Sequence, residues 1–187
     1  MYSTSDFRKG LKLLIDNEPY AIVDFQHVKP GKGNQFTRTK LRNILTGTNL
    51  ERTIKSGEKF PPANVETRDA QFLYKDDSGF HFMITETYDQ VALQPEDLGD
   101  AANYLIENLE CTLLYFNERP IGADVPNTVK LKVVRTDPGF KGNTVTGTTK
   151  PATLETGYVV QVPLHINEGD ILKVDTRTGV YIERFNK

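Results

Sequence analysis

A single cysteine, Cys111, is the only thiol in this chain of 187 residues, so no disulfide can form within it. Its setting, Glu110-Cys111-Thr112-Leu113-Leu114, is largely apolar, which fits a buried, inert thiol better than an activated nucleophile. No run approaches the roughly 20 apolar residues that span a bilayer, and Met1 to Phe7 lacks the basic-then-apolar order of a secretory leader. A cytoplasmic protein without a membrane partner is expected. The three histidines, His27, His81 and His165, lie far apart and have no metal-ligand spacing. Motifs of the HExxH, CxxC and GxSxG types are missing, and Gly31-Lys32-Gly33 is too short to cradle a triphosphate. The expectation is therefore no enzyme, no catalytic residue, no metal and no cofactor, with each histidine a strand residue whose ring finds a local partner. Low-complexity tracts and helical or solenoid repeats are absent as well.

What is present is enough for a folded chain: 37% of the residues are hydrophobic and 26% charged. The length allows one ordinary domain or a few very small ones. A net charge of -2 conceals a strong asymmetry. Residues 1–63 hold 11 basic and 6 acidic residues, residues 64–127 hold 3 and 13, and residues 128–187 hold 9 and 6. Two basic thirds flank an acidic one, the mark of modules that meet different partners. The joints carry matching punctuation, Phe60-Pro61-Pro62-Ala63-Asn64 and Gly122-Ala123-Asp124-Val125-Pro126-Asn127, since Pro-Pro continues neither a central strand nor a helix. Three domains follow, 1–63, 64–127 and 128–187. Units this small need very compact barrels or support from their neighbours.

Alternating residues predict mostly short strands. In the first third, Leu11–Ile15 and Tyr20–Phe25 form a hairpin, and a second joins Phe25–Lys29 to Phe36–Leu41. Along the latter strand Arg38, Lys40 and Arg42 share one face. In the middle third, Gln71–Tyr74 and Phe80–Ile84 turn at Asp76-Asp77-Ser78-Gly79. The stripe Leu98, Ala101, Ala102, Leu105 predicts one helix over Pro95–Ile106. Two strands, a helix and a further strand in about 60 residues fit an oligonucleotide-binding (OB) type barrel. The last third opens with Val129–Val134 and closes with a hairpin of Ile171–Asp175 and Val180–Arg184.

The loop Pro30-Gly31-Lys32-Gly33 sets one long cation at a hairpin tip between glycines, which keep local bulk low and allow close backbone approach to a ligand. A cationic tip above a basic strand face suits a phosphate-rich partner. The plainer reading is a glycine-rich turn with a solvated lysine. Lys29, Arg38, Lys40 and Arg42 are the candidate phosphate contacts, chosen on charge and position alone. Paired carboxylates in the acidic third could serve acid-base chemistry, but a solvated acidic face accounts for them with less.

From Asp6-Phe7-Arg8-Lys9-Gly10-Leu11, through Lys29-Pro30-Gly31-Lys32-Gly33 and Thr39-Lys40-Leu41-Arg42-Asn43, to Lys150-Pro151-Ala152-Thr153-Leu154 and Gly169-Asp170-Ile171-Leu172-Lys173-Val174-Asp175-Thr176-Arg177-Thr178-Gly179, the chain resembles the bacterial elongation factor P family. The resemblance implies a mainly β protein of three small barrels in an L shape, SH3-like first and then two of OB type. It implies binding to ribosomal RNA and ribosomal proteins between the peptidyl-tRNA and exit sites, and relief of stalling at consecutive prolines. Lys32 matches the lysine that faces the peptidyl-transferase centre and that a dedicated enzyme extends in many members; Lys29, Pro30, Gly31 and Gly33 support it. Gly142-Asn143-Thr144 stands where the family carries Gly-Asp-Thr near the exit-site mRNA codon. Asn143 keeps an acceptor oxygen there and adds a donor. Tyr181 and Arg184 match residues placed near tRNA or ribosomal RNA. A monomer is expected, since the factor enters a tRNA-sized slot. The alternative at this point is a multi-barrel RNA-binding protein that acts away from the peptidyl-transferase centre.

Overall fold

The computed structural model describes residues 1–139 and 148–185. Its elements are almost all antiparallel strands. A 3-10 turn, Thr4–Asp6, precedes β1 (Lys12–Ile15), β2 (Glu18–Val28), β3 (Phe36–Asn43) and β4 (Asn49–Lys55), which pair in that order. Asp16 and Asn17 join β1 to β2 with φ of 52° and 65°, the left-handed pair that a two-residue hairpin of matching twist demands. Burial alternates along the strands: Leu13 and Ile15, Ile22, Leu41 and Ile54 point inward with Phe7, Leu11 and Phe60 to make one core. The Pro-Pro joint is sewn onto the far edge of β1, where Leu14 N–H donates to Pro61 O at 2.8 Å and Ala63 N–H to Lys12 O at 3.2 Å. Prolines suit an edge because they accept hydrogen bonds without owing a donor.

A second sheet runs β7-β6-β5-β8-β9, built from β5 (Val65–Asp76), β6 (Gly79–Ile84), β7 (Gln90–Leu93), β8 (Glu110–Phe116) and β9 (Arg119–Asp124). The single helix expected over Pro95–Ile106 is not formed. A four-residue α1 (Pro95–Leu98) stops at Gly99, whose φ of 55° and ψ of -132° leave the helical region, and a 3-10 segment, Gly99–Tyr104, follows. Of the apolar stripe, Leu98 and Leu105 are buried and Ala101 and Ala102 half-buried, and Tyr104, outside the stripe, is buried as well.

The third sheet has the order β12-β11-β10-β13-β14, from β10 (Thr128–Thr136), β11 (Thr149–Leu154), β12 (Val159–Pro163), β13 (Ile171–Asp175) and β14 (Val180–Arg184). β12 also touches β14, so the sheet curls back on itself. Its core is Val129, Leu131, Val133, Leu154, Val162, Ile166, Leu172 and Val174, and Tyr104 joins it from the 3-10 segment. By contact density the chain separates into two compact units, Met1–Arg68 with Leu114–Gly122, and Asp69–Leu113 with Ala123–Lys187.

Within the second unit the 3-10 segment is fastened to the last barrel by two tyrosines. The Tyr104 and Tyr158 rings meet edge-on at 5.6 Å, Tyr158 OH donates to Gly179 O at 2.8 Å, and Thr156 Oγ donates to Asn103 O at 2.6 Å. Burial pushes the Tyr104 hydroxyl up to about 12. Gly179 has φ of 75°, and a Cβ there would lie 2.4 Å from the Tyr158 hydroxyl and 3.2 Å from that of Tyr104. Gly10, with φ of 87°, has open space around it. Gly179→Ala is therefore expected to lower stability by about 1–3 kcal/mol more than Gly10→Ala, through overpacking added to backbone strain. Chemical denaturation of the two variants measures the difference, and equal losses would mean that the tyrosine contact contributes nothing.

Candidate nucleic-acid interface

β2 and β3 pair over eight positions, from Tyr20 with Asn43 to Val28 with Phe36. β1 covers only Glu18 to Ala21 of β2, and Gly10 and Leu11 extend that side by hydrogen bonds to Ile22, so beyond Ile22 β2 relies on β3 for its pairing. An aromatic row stiffens this arm. Phe25 packs edge-on against Phe7 at 6.3 Å and against His27 at 5.4 Å, while His27 Nδ1 and Thr37 Oγ share a hydrogen bond of 2.9 Å across the ladder. The ring of His27 thus has a local partner, as the sequence predicts.

The arm ends in the loop from Lys29 to Gln35. Pro30 is half-buried, and Lys29, Gly31, Lys32, Gly33, Asn34 and Gln35 are exposed. Gly33 has φ of 105°, a left-handed conformation that calls for glycine, whereas Gly31 has no positive φ, and a Cβ placed on it would meet no atom within 4 Å. The isolated fold therefore explains Gly33 and leaves Gly31 unexplained. A groove of about 410 Å³ runs at the foot of the loop, lined by Thr4, Ser5, His27, Lys29, Phe36 and Ser56 among others.

Along β3 the pattern is the predicted one. Arg38, Lys40 and Arg42 are exposed on one face, and Thr37, Thr39, Leu41 and Asn43 are buried on the other. The ladder adds what local sequence did not reveal. Lys40 stands between Asp24 on β2 and Glu51 on β4, while Arg38 stands between Gln26 and Thr53. Lys9 also lies 3.9 Å from Asp24. Asp24 and Glu51 thus moderate the charge at Lys40, and Arg38 is the less neutralised cation, with its guanidinium 5.9 Å from the Phe36 ring. Both acids lie outside residues 27–42, a stretch that holds five Lys and Arg and no Asp or Glu, and only strand register brings them in.

The remaining predicted residues lie apart from the tip in the chain's division. Lys29 to Arg42 belong to the first compact unit, Tyr181 and Arg184 to the second. Tyr181 is half-buried against the last barrel's core, and Arg184 is exposed and 3.9 Å from Asp170. Gly142, Asn143 and Thr144 lie outside the described residues.

Two groups bear on catalysis. Asp76 Oδ1 accepts a hydrogen bond from Ser78 Oγ at 2.7 Å and meets His81 Nε2 at 2.8 Å, with Ser78 Oγ 3.0 Å from that same nitrogen. A nucleophile relay requires the carboxylate and the hydroxyl on opposite ring nitrogens; this closed triangle is a turn cluster instead. The Ser78 hydroxyl and then His81 hold the Asp76 carboxyl down at about 2. Cys111 is buried, which pushes its thiol up to about 11, far from a reactive thiolate. Among the described residues no cluster of His, Cys, Asp and Glu could hold a metal ion, and no helix is long and apolar enough to cross a membrane.

Comparison with known proteins covers almost the whole chain. Residues 3–60 match the profile of the elongation factor P (EF-P) KOW-like domain, residues 65–123 that of the elongation factor P (EF-P) OB domain, and residues 129–184 that of the elongation factor P C-terminal domain. The mainly β fold thus combines a KOW-like, SH3-like barrel with OB-type architecture. A protein of Bdellovibrio bacteriovorus named elongation factor P is 63% identical over 187 residues, 100% of both chains. One of the same name from Carboxydothermus hydrogenoformans is 54% identical over 184 residues, 98% of this chain and 100% of that one. Among solved structures, eukaryotic translation initiation factor 5A from Methanococcus jannaschii shares the fold, with a TM-score of 0.51 at 21% identity over 67% of this chain and 90% of that one. The chain belongs to the elongation factor P family of translation elongation factors.

Proposed function

We propose that the chain binds the ribosome between the peptidyl-tRNA and exit sites and promotes peptide-bond formation at consecutive prolines by positioning peptidyl-tRNA. The observation that carries this reading is Lys32, exposed at the end of a stiffened two-stranded arm in a chain 63% identical over its full length to a protein named elongation factor P. Proline is a constrained and poor nucleophile, so its slow step responds to orientation, and orientation alone is worth several orders of magnitude in rate. The factor transfers no proton in this account. Lys32, extended by a lysine-modifying enzyme, contacts the acceptor end of the tRNA. Lys29, Arg38, Lys40 and Arg42 support it through phosphates, with Lys40 the weakest of them because Asp24 and Glu51 flank it.

The further partners in this reading are ribosomal RNA and ribosomal proteins, which Tyr181 and Arg184 contact, and an exit-site mRNA codon read by the loop of Gly142, Asn143 and Thr144. The protein acts as a cytoplasmic monomer of three domains, 1–63, 64–127 and 128–187, a division supported by profile matches at 3–60, 65–123 and 129–184. The acidic middle domain limits nonspecific adhesion to RNA.

Mass spectrometry of protein from its native host, paired with translation of a proline-run message, tests the tip. A mass addition on Lys32 is expected, and Lys32→Ala is expected to lose rescue by about tenfold or more while retaining most ribosome binding. A variant that loses RNA affinity in proportion to its activity would favour a general RNA-binding protein instead. Glycine substitutions separate fold from function. Gly31→Ala is expected to change stability by no more than about 0.5 kcal/mol yet to reduce rescue, because only the bound state constrains that position. Undiminished rescue by Gly31→Ala would remove the close approach from the mechanism.

A further inference from the structure

The outer face of the last barrel carries a cluster that the tip mechanism does not use. On β10, Lys130 and Lys132 point outward while Val129, Leu131 and Val133 fill the core. On β13, Lys173 points outward between buried Leu172 and Val174. The register sets Lys130 directly opposite Lys173, a like-charge pair that weakens an antiparallel ladder. Glu183 lies 3.6 Å from Lys173 and relieves it in part. Lys130 lies over the ring of Phe185, its ammonium 3.7 Å from the centroid.

Phe185 is fixed just past β14 by its N–H, which donates to Ile171 O at 2.7 Å. It is 50% exposed and takes no part in the barrel's core. A ring held this way adds little to folding. The Lys130 ammonium covers one face of the ring, and the half-exposed remainder offers π surface beside cations, the combination that binds unpaired bases by stacking and their phosphates by charge.

We propose that Phe185, with Lys130, Lys132 and Lys173, is a stacking platform for an unpaired base of single-stranded RNA. Charge selects RNA over an apolar protein surface. Docking against apolar atoms would strip water from three ammonium groups, with Glu183 compensating Lys173 in part, whereas phosphates neutralise them and release counterions. The proposal rests on the reading of the last domain as RNA-contacting, but it needs neither Lys32 nor a proline-run message.

The chain contains no tryptophan, so Phe185→Trp supplies one indole that reports on the platform alone. Titration of the full-length variant with single-stranded octaadenylate is expected to quench its emission saturably, while an RNA duplex of equal length and inorganic polyphosphate leave it unchanged. Phe185→Ser is expected to weaken octaadenylate binding about tenfold, measured by anisotropy, and Lys130→Ala to reduce its salt dependence. Absence of a saturable quench, an equal quench by polyphosphate, or unaltered affinity in Phe185→Ser overturns the proposal. Adding Lys32→Ala to the Phe185→Trp protein is expected to leave the quench intact, so failure of the platform and failure of the proline mechanism register in different assays.

Discussion

The antiparallel ladder between β2 and β3 is the constraint on which the chemistry of the tip depends. It buries Thr37, Thr39 and Leu41 on one side and thereby fixes Arg38, Lys40 and Arg42 on the other. It also holds the seven residues from Lys29 to Gln35 at the far end of the arm. A flexible loop could carry a lysine as easily, but it would surrender in ordering entropy what orientation contributes. The Phe7, Phe25 and His27 row, with the His27–Thr37 hydrogen bond, removes much of that freedom in the free protein.

Charge is distributed with similar economy. Cations at the tip and on β3 belong to a basic third, and the acids that temper them, Asp24 and Glu51, come from neighbouring strands at the same level of the sheet. The effect is local to Lys40, since Arg38 stands between Gln26 and Thr53 and Arg42 between Ala21 and Asn49. The last barrel makes a different choice: Lys130 and Lys173 face one another across the ladder, and the aromatic ring of Phe185, rather than an acid, lies against Lys130.

Much of this is legible in the sequence where the information is local. Period-two alternation from Phe36 to Asn43 reveals the basic face, Asp16-Asn17-Glu18-Pro19 the place of the first turn, of which Glu18 and Pro19 already belong to β2, and the strand pair Ile171–Asp175 and Val180–Arg184 the closing hairpin. The single helix expected over Pro95–Ile106 fails because a stripe of apolar residues does not register a backbone break, and Gly99 supplies one. Long-range pairing is out of reach. Nothing in the local sequence says that Pro61 and Ala63 bind along β1, that Glu51 comes to rest beside Lys40, or that Tyr104 and Tyr158 close over Gly179. The candidate site follows the same rule: its exposed cations are readable one by one, and their neutralising neighbours and the exposed Phe185 are not.

The central claim is that Lys32 acts at the acceptor end of peptidyl-tRNA, and the most direct measurement is an electron cryomicroscopy structure of the native factor on ribosomes stalled within a proline run. The account predicts continuous density for the Lys32 side chain, with any extension it carries, against the terminal nucleotides of the peptidyl-tRNA, and Gly31 packed close to RNA. A factor bound in that complex with its β2–β3 tip in solvent, or against a surface remote from the peptidyl-tRNA, would contradict it.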